Sequence, residues 1–274
     1  MTPNKKVLIT GTTGMLGKHF LELFDGKYDV YTLNRSDGDL FDFEFVTEYI
    51  QQINPDIIIH CIADTNLPRC EKNKKNTLML HCGLTDCLSS HKSRFIYISS
   101  DSCKNPINFY SKTKWLGEKI ACLNDQKSVI LRTNIYGFNS SEGNSLCEWA
   151  MNNFKHNKKI TGFTDVMFNA IYTKQLVDTA YDIINSDVTG IIDVGGNYTI
   201  SKFDFLKRVC STFNYNVDLL EEGKLSDMNI GVDRPKNTLL DIKELNDKFG
   251  IVLNLEDGLK QLKIDMEIYE RNNN

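Results

Sequence analysis

Tyr110 and Lys114 stand four residues apart in Tyr110-Ser-Lys-Thr-Lys114, a spacing that puts a phenol and an ammonium on one face of one helix. An ordinary tyrosine, with a pKa near about 10, is a poor proton relay at neutral pH, and a cation one turn away favours its phenolate. Shortly before this pair, Ser99-Ser100 closes the apolar run Phe95-Ile96-Tyr97-Ile98. A serine hydroxyl there can polarise a carbonyl that Tyr110 protonates. The partner chemistry is upstream: Gly11-Thr-Thr-Gly14-Met-Leu-Gly17 directly follows the apolar Val7 to Ile9. A glycine-rich turn between a strand and a helix lets a pyrophosphate approach the backbone and rest on the helix N-terminus. Tyr-x-x-x-Lys alone is common on helix surfaces. Its position after a glycine loop and a strand ending in serines makes it the equipment of hydride transfer from a dinucleotide to a carbonyl.

The elements that must position these groups alternate along the chain. Apolar runs at Lys6 to Thr10, Tyr28 to Leu33, Asp56 to His60, Arg94 to Ser99 and Val129 to Thr133 read as strands. Helical patterns fall between them, from about Met15, over Phe43 to Ile53, around Thr77 to Ser89 and around Phe109 to Cys122. Short continuous runs such as Ile57-Ile58-Ile59 suit strands buried on both faces of a parallel sheet. The expected fold is α/β, a doubly wound parallel sheet of the Rossmann type with a small C-terminal substrate-binding lobe. Beyond about Gly137 the rhythm loosens through the polar Asn139 to Asn144, with another strand-like run at Gly190 to Val194. Residues 1–137, completed by segments near 158–195, read as the dinucleotide-binding domain. Residues 138–157 and 196–274 read as the lobe.

The glycines follow Gly-x-x-Gly-x-x-Gly, one residue longer between the first two than the usual dehydrogenase fingerprint. After the second strand, where an acidic residue would select NAD, the chain has Asn34-Arg35-Ser36. A guanidinium and a hydroxyl there favour the 2′-phosphate of NADP(H) over NAD(H); the alternative is that Arg35 is a solvated turn residue. Asp39-Leu40 would flank the adenine. At 274 residues, with a formal charge of −4, composition implies neither a nucleic-acid nor a membrane partner. No run approaches the roughly 20 apolar residues of a membrane span, and Met1 to Lys6 lacks the apolar core of a signal peptide. A cytoplasmic protein is expected. Eight cysteines without a Cys-x-x-Cys pair read as small buried hydrophobes in a reducing compartment, and neither His60 nor His91 has ligand-like spacing, so no metal is expected.

In these strings the chain resembles the short-chain dehydrogenase/reductase superfamily, extended type, and within it the dTDP-4-dehydrorhamnose reductase family. The resemblance runs through the glycine loop, Asn54-Pro-Asp56, His60-Cys-Ile-Ala-Asp64-Thr, Ile98-Ser-Ser-Asp101 and Tyr110 to Glu118. It continues through Leu131-Arg-Thr-Asn134-Ile-Tyr-Gly137 to Arg234-Pro-Lys-Asn-Thr-Leu-Leu-Asp241, the most family-specific string. It implies NAD(P)H-dependent reduction of the C4 ketone of a nucleotide-linked 4-keto-6-deoxy sugar, a late step in making sugars of surface polysaccharides. By position, Ser100 would orient the carbonyl, Tyr110 donate the proton and Lys114 tune it. Asp101, Asn144 and Arg234 would help hold the sugar nucleotide, Arg234 by charge-assisted bonds to phosphate. Its alternative is a surface cation before a rigid proline. Met15, Leu16, Cys61 and Ala63 would join Gly11, Gly14, Gly17, Arg35, Asp39, Leu40, Tyr110 and Lys114 around the cofactor. Relatives dimerise through helices flanking the sheet, so a homodimer through Thr77 to Ser89 and Phe109 to Cys122 is one expectation, and two solvent-facing helices the other.

Three departures bear on this reading. Only nine residues separate Ser100 from Tyr110, where the family has a longer loop beginning with aromatic residues. His81 and Cys82 occupy the helix where an asparagine would support the proton relay, and Phe138 follows Gly137 where a proline is common. Two other functions stay open on these grounds. One is a cofactor-retaining epimerase; a dehydratase would have an Asp-Glu pair where this chain has Asp101-Ser102. The other is a non-catalytic NADP-binding regulatory subunit, which would have no need of Tyr110.

Overall fold

The structure, a computed structural model, describes residues 4–139, 145–228 and 231–273. Among them, the apolar runs of the first half form β1 (Lys6–Thr10), β2 (Asp29–Leu33), β3 (Ile57–His60), β4 (Arg94–Ser100) and β5 (Val129–Thr133). With Gly190–Val194 they make a six-stranded parallel sheet in the order Gly190–Val194, β5, β4, β3, β1, β2. Pairing is in register across the centre: Leu8 faces Tyr31 on one side and Ile58 on the other, and Ile58 faces Phe95. Strand order reverses beside β1, which pairs with both β2 and β3. In doubly wound sheets ligands bind outside the carboxyl ends of the strands at such a reversal.

Helices cover the sheet: α1 (Gly17–Phe24), α2 (Phe43–Ile53), α3 (Leu67–Lys72), α4 (Lys74–Leu78), α5 (Leu84–Ser89) and α6 (Phe109–Asn124). Their start and stop signals are local. The Asp42 carboxylate accepts from the Glu44 and Phe45 N–H groups and begins α2, which ends at Asn54 in the left-handed region. Asn108 and Ser111 form a reciprocal capping box at the start of α6. Val46, Ile50, Leu84, Leu88 and Ala121 from these helices pack with Leu8, Ile58, Phe95 and Tyr97 of the sheet. Each such Val, Leu, Ile or Phe side chain contributes about 1.5–3 kcal/mol by leaving water.

Of the boundaries that differ from the sequence reading, three bear on the site. The helix after the glycine loop begins at Gly17, because Gly14 N–H turns back onto the Gly11 carbonyl (3.0 Å) and leaves Met15 and Leu16 in the loop. β4 runs one residue further, through Ser100. The helix read around Thr77 to Ser89 starts earlier, at Lys74, and is interrupted by a π turn, Met79–Gly83, between α4 and α5.

The chain divides into two compact units. The first comprises Met1–Arg132, Val177–Asp193 and Gly231–Arg234, the second Thr133–Leu176, Val194–Ile230 and Pro235–Asn274. Two-stranded pairs characterise the second: Ile135–Tyr136 with Ile171–Tyr172, Ile160–Phe163 with Leu220–Gly223, and Met167–Phe168 with Ile200–Ser201. Its core gathers Tyr136, Phe138, Phe154, Phe168, Tyr172 and Phe205. All eight cysteines are free, and the described residues contain no cluster able to hold a metal. No described helix is long and apolar enough to cross a membrane.

Candidate active site

The glycine loop leaves β1 at Gly11, whose positive φ of 75° and contact with the exit of β3 exclude a side chain: a Cβ there would lie 2.9 Å from Ile62. At Gly17 a Cβ would lie 2.2 Å from the Gly11 carbonyl oxygen, so the first turn of α1 closes onto the loop only with glycine. Thr12 in the loop and Asn34 at the end of β2 hydrogen-bond side chain to side chain (3.0–3.1 Å), which fixes the loop against the strand that must deliver Arg35. Arg35, Asp39 and Leu40 line one cavity of about 570 Å³ with Asp64, Arg69, Asn76 and Thr77. Arg69 is bidentate on Asp64, at 2.6 and 2.7 Å. The glycine loop, the helix start and this cavity offer the groups a dinucleotide would take, backbone N–H donors for a pyrophosphate and the Arg35 guanidinium for the adenosine end.

Ser100, Tyr110 and Lys114 meet at the carboxyl end of β4. The Ser100 hydroxyl donates to Asp101 Oδ1 (3.0 Å) and contacts Ser102 Oγ (2.9 Å). Burial pushes the Tyr110 phenol up, and a hydrogen bond with Ser100 works against that. Lys114 is only 3% exposed. Its Nζ donates to the Ile98 carbonyl (2.7 Å) and sits 4.0 Å from the centre of the Tyr97 ring. Burial pulls its pKa down to about 8, against Cys103 and Glu118. In this arrangement Ser100 opposes the rise of the phenol, while the ammonium is held by β4.

Glu118, fully buried one turn beyond Lys114, takes the Ser99 hydroxyl (2.6 Å) and both Nε and Nη2 of Arg132 (2.8 and 2.7 Å). This ties the ends of β4 and β5 to α6 next to Ser100. His81, in the π turn, lies edge-on to Tyr110 at 5.7 Å. Its Nε2 accepts the Asp64 N–H (2.9 Å), so the proton is on Nδ1, which donates to the Thr113 hydroxyl (2.8 Å). Burial and Lys114 hold it neutral, with a pKa down to about 3. At the other end of α6, the cap Asn108 also donates to the Asp233 carbonyl (2.9 Å). That bond brings the segment carrying exposed Arg234 to the turn that carries Tyr110.

Cys61 and Ala63 follow β3 beside Gly11, and Met15 and Leu16 stay in the loop. Asp101 is buried in the single 3₁₀ turn, Asp101–Lys104, that occupies the short connection before Tyr110. Asn144 lies outside the described residues. Sequence reasoning missed Arg69, Asp64 as its anchor, and the roles of His81 and Tyr97. Arg69 stands three residues after the helix-capping Asn66, a local signal that carried it back over Asp64. Tyr97 and His81 gave none, since each reads as a core residue.

The RmlD substrate-binding domain family matches residues 5–266, nearly the whole chain. The chain belongs to that family. Among curated relatives, dTDP-4-dehydrorhamnose reductase of Aggregatibacter actinomycetemcomitans is 24% identical over 90% of this chain and 94% of its own. The methionine adenosyltransferase 2 subunit beta of Mus musculus is 25% identical over 89% and 82%. Among solved structures, dTDP-4-dehydrorhamnose reductase of Bacillus anthracis in complex with NADP superposes with a TM-score of 0.88 at 24% identity, covering 96% of this chain and 99% of that one. The family therefore brings the Rossmann-type fold of extended short-chain dehydrogenases/reductases, as the sequence reading expected.

Proposed function

We propose that this chain is a sugar-nucleotide reductase that uses NADPH to reduce the C4 ketone of a nucleotide-linked 4-keto-6-deoxy sugar. The carrying observation is the convergence of Ser100, Tyr110 and Lys114 at the end of β4, in the unit that holds the glycine loop. The relatives named as reductases, and one solved with NADP, support that substrate class and cofactor. When bound, the nicotinamide supplies the hydride.

The chain's own residues do the rest. Ser100 and Tyr110 bond the ketone oxygen, and Tyr110 Oη gives up its proton as the alkoxide forms. That leaves a phenolate, which the Lys114 ammonium and the Ser100 hydroxyl stabilise. A raised phenol keeps Tyr110 protonated until negative charge develops beside it. Gly11, Gly14, Met15, Leu16 and Gly17 hold the pyrophosphate, Arg35 the 2′-phosphate, Asp39 and Leu40 the adenine, and Cys61 and Ala63 the wall beneath. Arg234, Asn144 and Asp101 bind the sugar nucleotide, and the Ser100 proton, given to Asp101 Oδ1 without substrate, turns to the ketone oxygen when the sugar enters.

A second reading, a binding subunit of another enzyme, is favoured by the relative named as a methionine adenosyltransferase subunit. Tyr110→Phe separates the two. The reductase reading predicts NADPH binding within about threefold of wild type and turnover reduced by a factor of about 10²–10⁴. Turnover unchanged in the variant would remove Tyr110 from the chemistry, and NADPH binding without turnover in the wild type would leave the binding subunit.

A further inference from the structure

We propose that the ring of Tyr97 is a positioning residue of the site, an aromatic seat that holds the Lys114 side chain as a cation where water does not reach. Tyr97 is on β4, completely buried, and the ammonium of Lys114 sits over it at 4.0 Å from the ring centre. Among the described residues that ammonium makes one hydrogen bond, to the Ile98 carbonyl at 2.7 Å. Among the described residues no carboxylate is ion-paired with it, and Glu118 is taken up by Arg132 and Ser99. An almost unhydrated ammonium with one acceptor is costly, and the face of an aromatic ring is the remaining group with negative potential directed at it. The Tyr97 hydroxyl makes no well-formed hydrogen bond among the described residues and interacts with Thr85, so the ring is the part of Tyr97 that the ammonium meets.

The consequence is a device for keeping Lys114 charged without neutralising it. An ion pair would cancel the field that a phenolate at Tyr110 needs, whereas a quadrupole leaves the net charge in place. The inference rests on Lys114 being the cation of the active site; its test is read on the lysine itself, independently of turnover. Besides Tyr97, the groups acting on the ammonium or acted on by it are the thiols of Cys61, Cys82 and Cys103, the Glu118 carboxylate, and the imidazoles of His60 and His81. None of them changes in the variants below.

The experiment is NMR titration of lysine labelled with ¹³C at Cε, the Lys114 signal being assigned by its loss in Lys114→Arg. In Tyr97→Phe the ring face is kept and the titration midpoint stays at the wild-type value. In Tyr97→Leu it falls by about one pH unit, tenfold in the acid constant. Should the leucine variant not fold, trifluorinated phenylalanine at the same position keeps shape while draining the ring of negative potential, and the midpoint again falls. A midpoint unmoved by fluorination or by leucine overturns the proposal. So does a fall in Tyr97→Phe equal to that in Tyr97→Leu, since the hydroxyl would then be responsible. Turnover measured alongside distinguishes the two claims: a midpoint that shifts in the variants, with a wild type that reduces no sugar nucleotide, leaves the seat standing and removes the reductase.

Discussion

Lys114 is a buried ammonium held at a cost in stability. Burial lowers its pKa from 10.5 to about 8, so below that pH the folded chain carries an ammonium it would hold more cheaply unfolded. Between about pH 8 and 10.5 the unfolded state keeps the proton that the folded state has released, and stability rises with pH across that window. Lys114→Met removes the charge and fills the space. The expected outcome is a variant more stable than wild type at pH 7, by up to roughly 3 kcal/mol before the lost Ile98 bond and ring contact are subtracted. The gap should narrow as pH rises toward 10.5, and urea unfolding at several pH values measures it. A variant less stable at pH 7, with a gap independent of pH, would mean that the buried ammonium carries no such strain.

At the scale of elements, the site depends on how α6 is fastened to the ends of β3, β4 and β5. Glu118 serves β4 and β5, and His81 serves β3, bridging the Asp64 N–H to Thr113 on α6. His81→Ala leaves a part-buried N–H without its acceptor and should destabilise the chain by about 2 kcal/mol. His81→Gln, which retains an acceptor oxygen, should recover part of it. Because the imidazole is held neutral well below its usual range, wild type should lose stability more steeply than His81→Gln as pH falls from about 6.5 toward 3. Equal stability of wild type and His81→Ala in chemical unfolding would show that the bridge carries nothing. Ile57-Ile58-Ile59 and Phe95 to Ile98 were legible as strands because burial on both faces demands unbroken apolar runs. The grouping of Ser100, Tyr110 and Lys114 was legible because it is local to one strand end and one helix turn. The π turn was not, since His81 and Cys82 follow a helical period whether or not one residue is inserted. The Tyr97 seat was hidden for a related reason: an aromatic on a buried strand reads as core, and only the fold reveals the cation above it.

For the molecule as a whole, the parallel sheet and the placement of the glycine loop at the strand-order reversal agree with one another, and the family model spans both. The departures concentrate where specificity is set. The connection between Ser100 and Tyr110 is nine residues and holds one 3₁₀ turn, Asp101–Lys104, against the longer aromatic loop that the resemblance led one to expect. Arg35 and the Asp64–Arg69 pair line the cavity that would receive the adenosine end of the cofactor. Substrate identity and cofactor preference are thus the quantities in which this protein can differ from its relatives while keeping their chemistry. The most direct measurement is oxidation of NADPH, followed at the nicotinamide absorbance band, with dTDP-, UDP-, GDP- and CMP-linked 4-keto sugars in turn and NADH as the control. The account predicts turnover with one of these sugars, faster with NADPH than with NADH. Tight NADPH binding with no oxidation against any of them would contradict it.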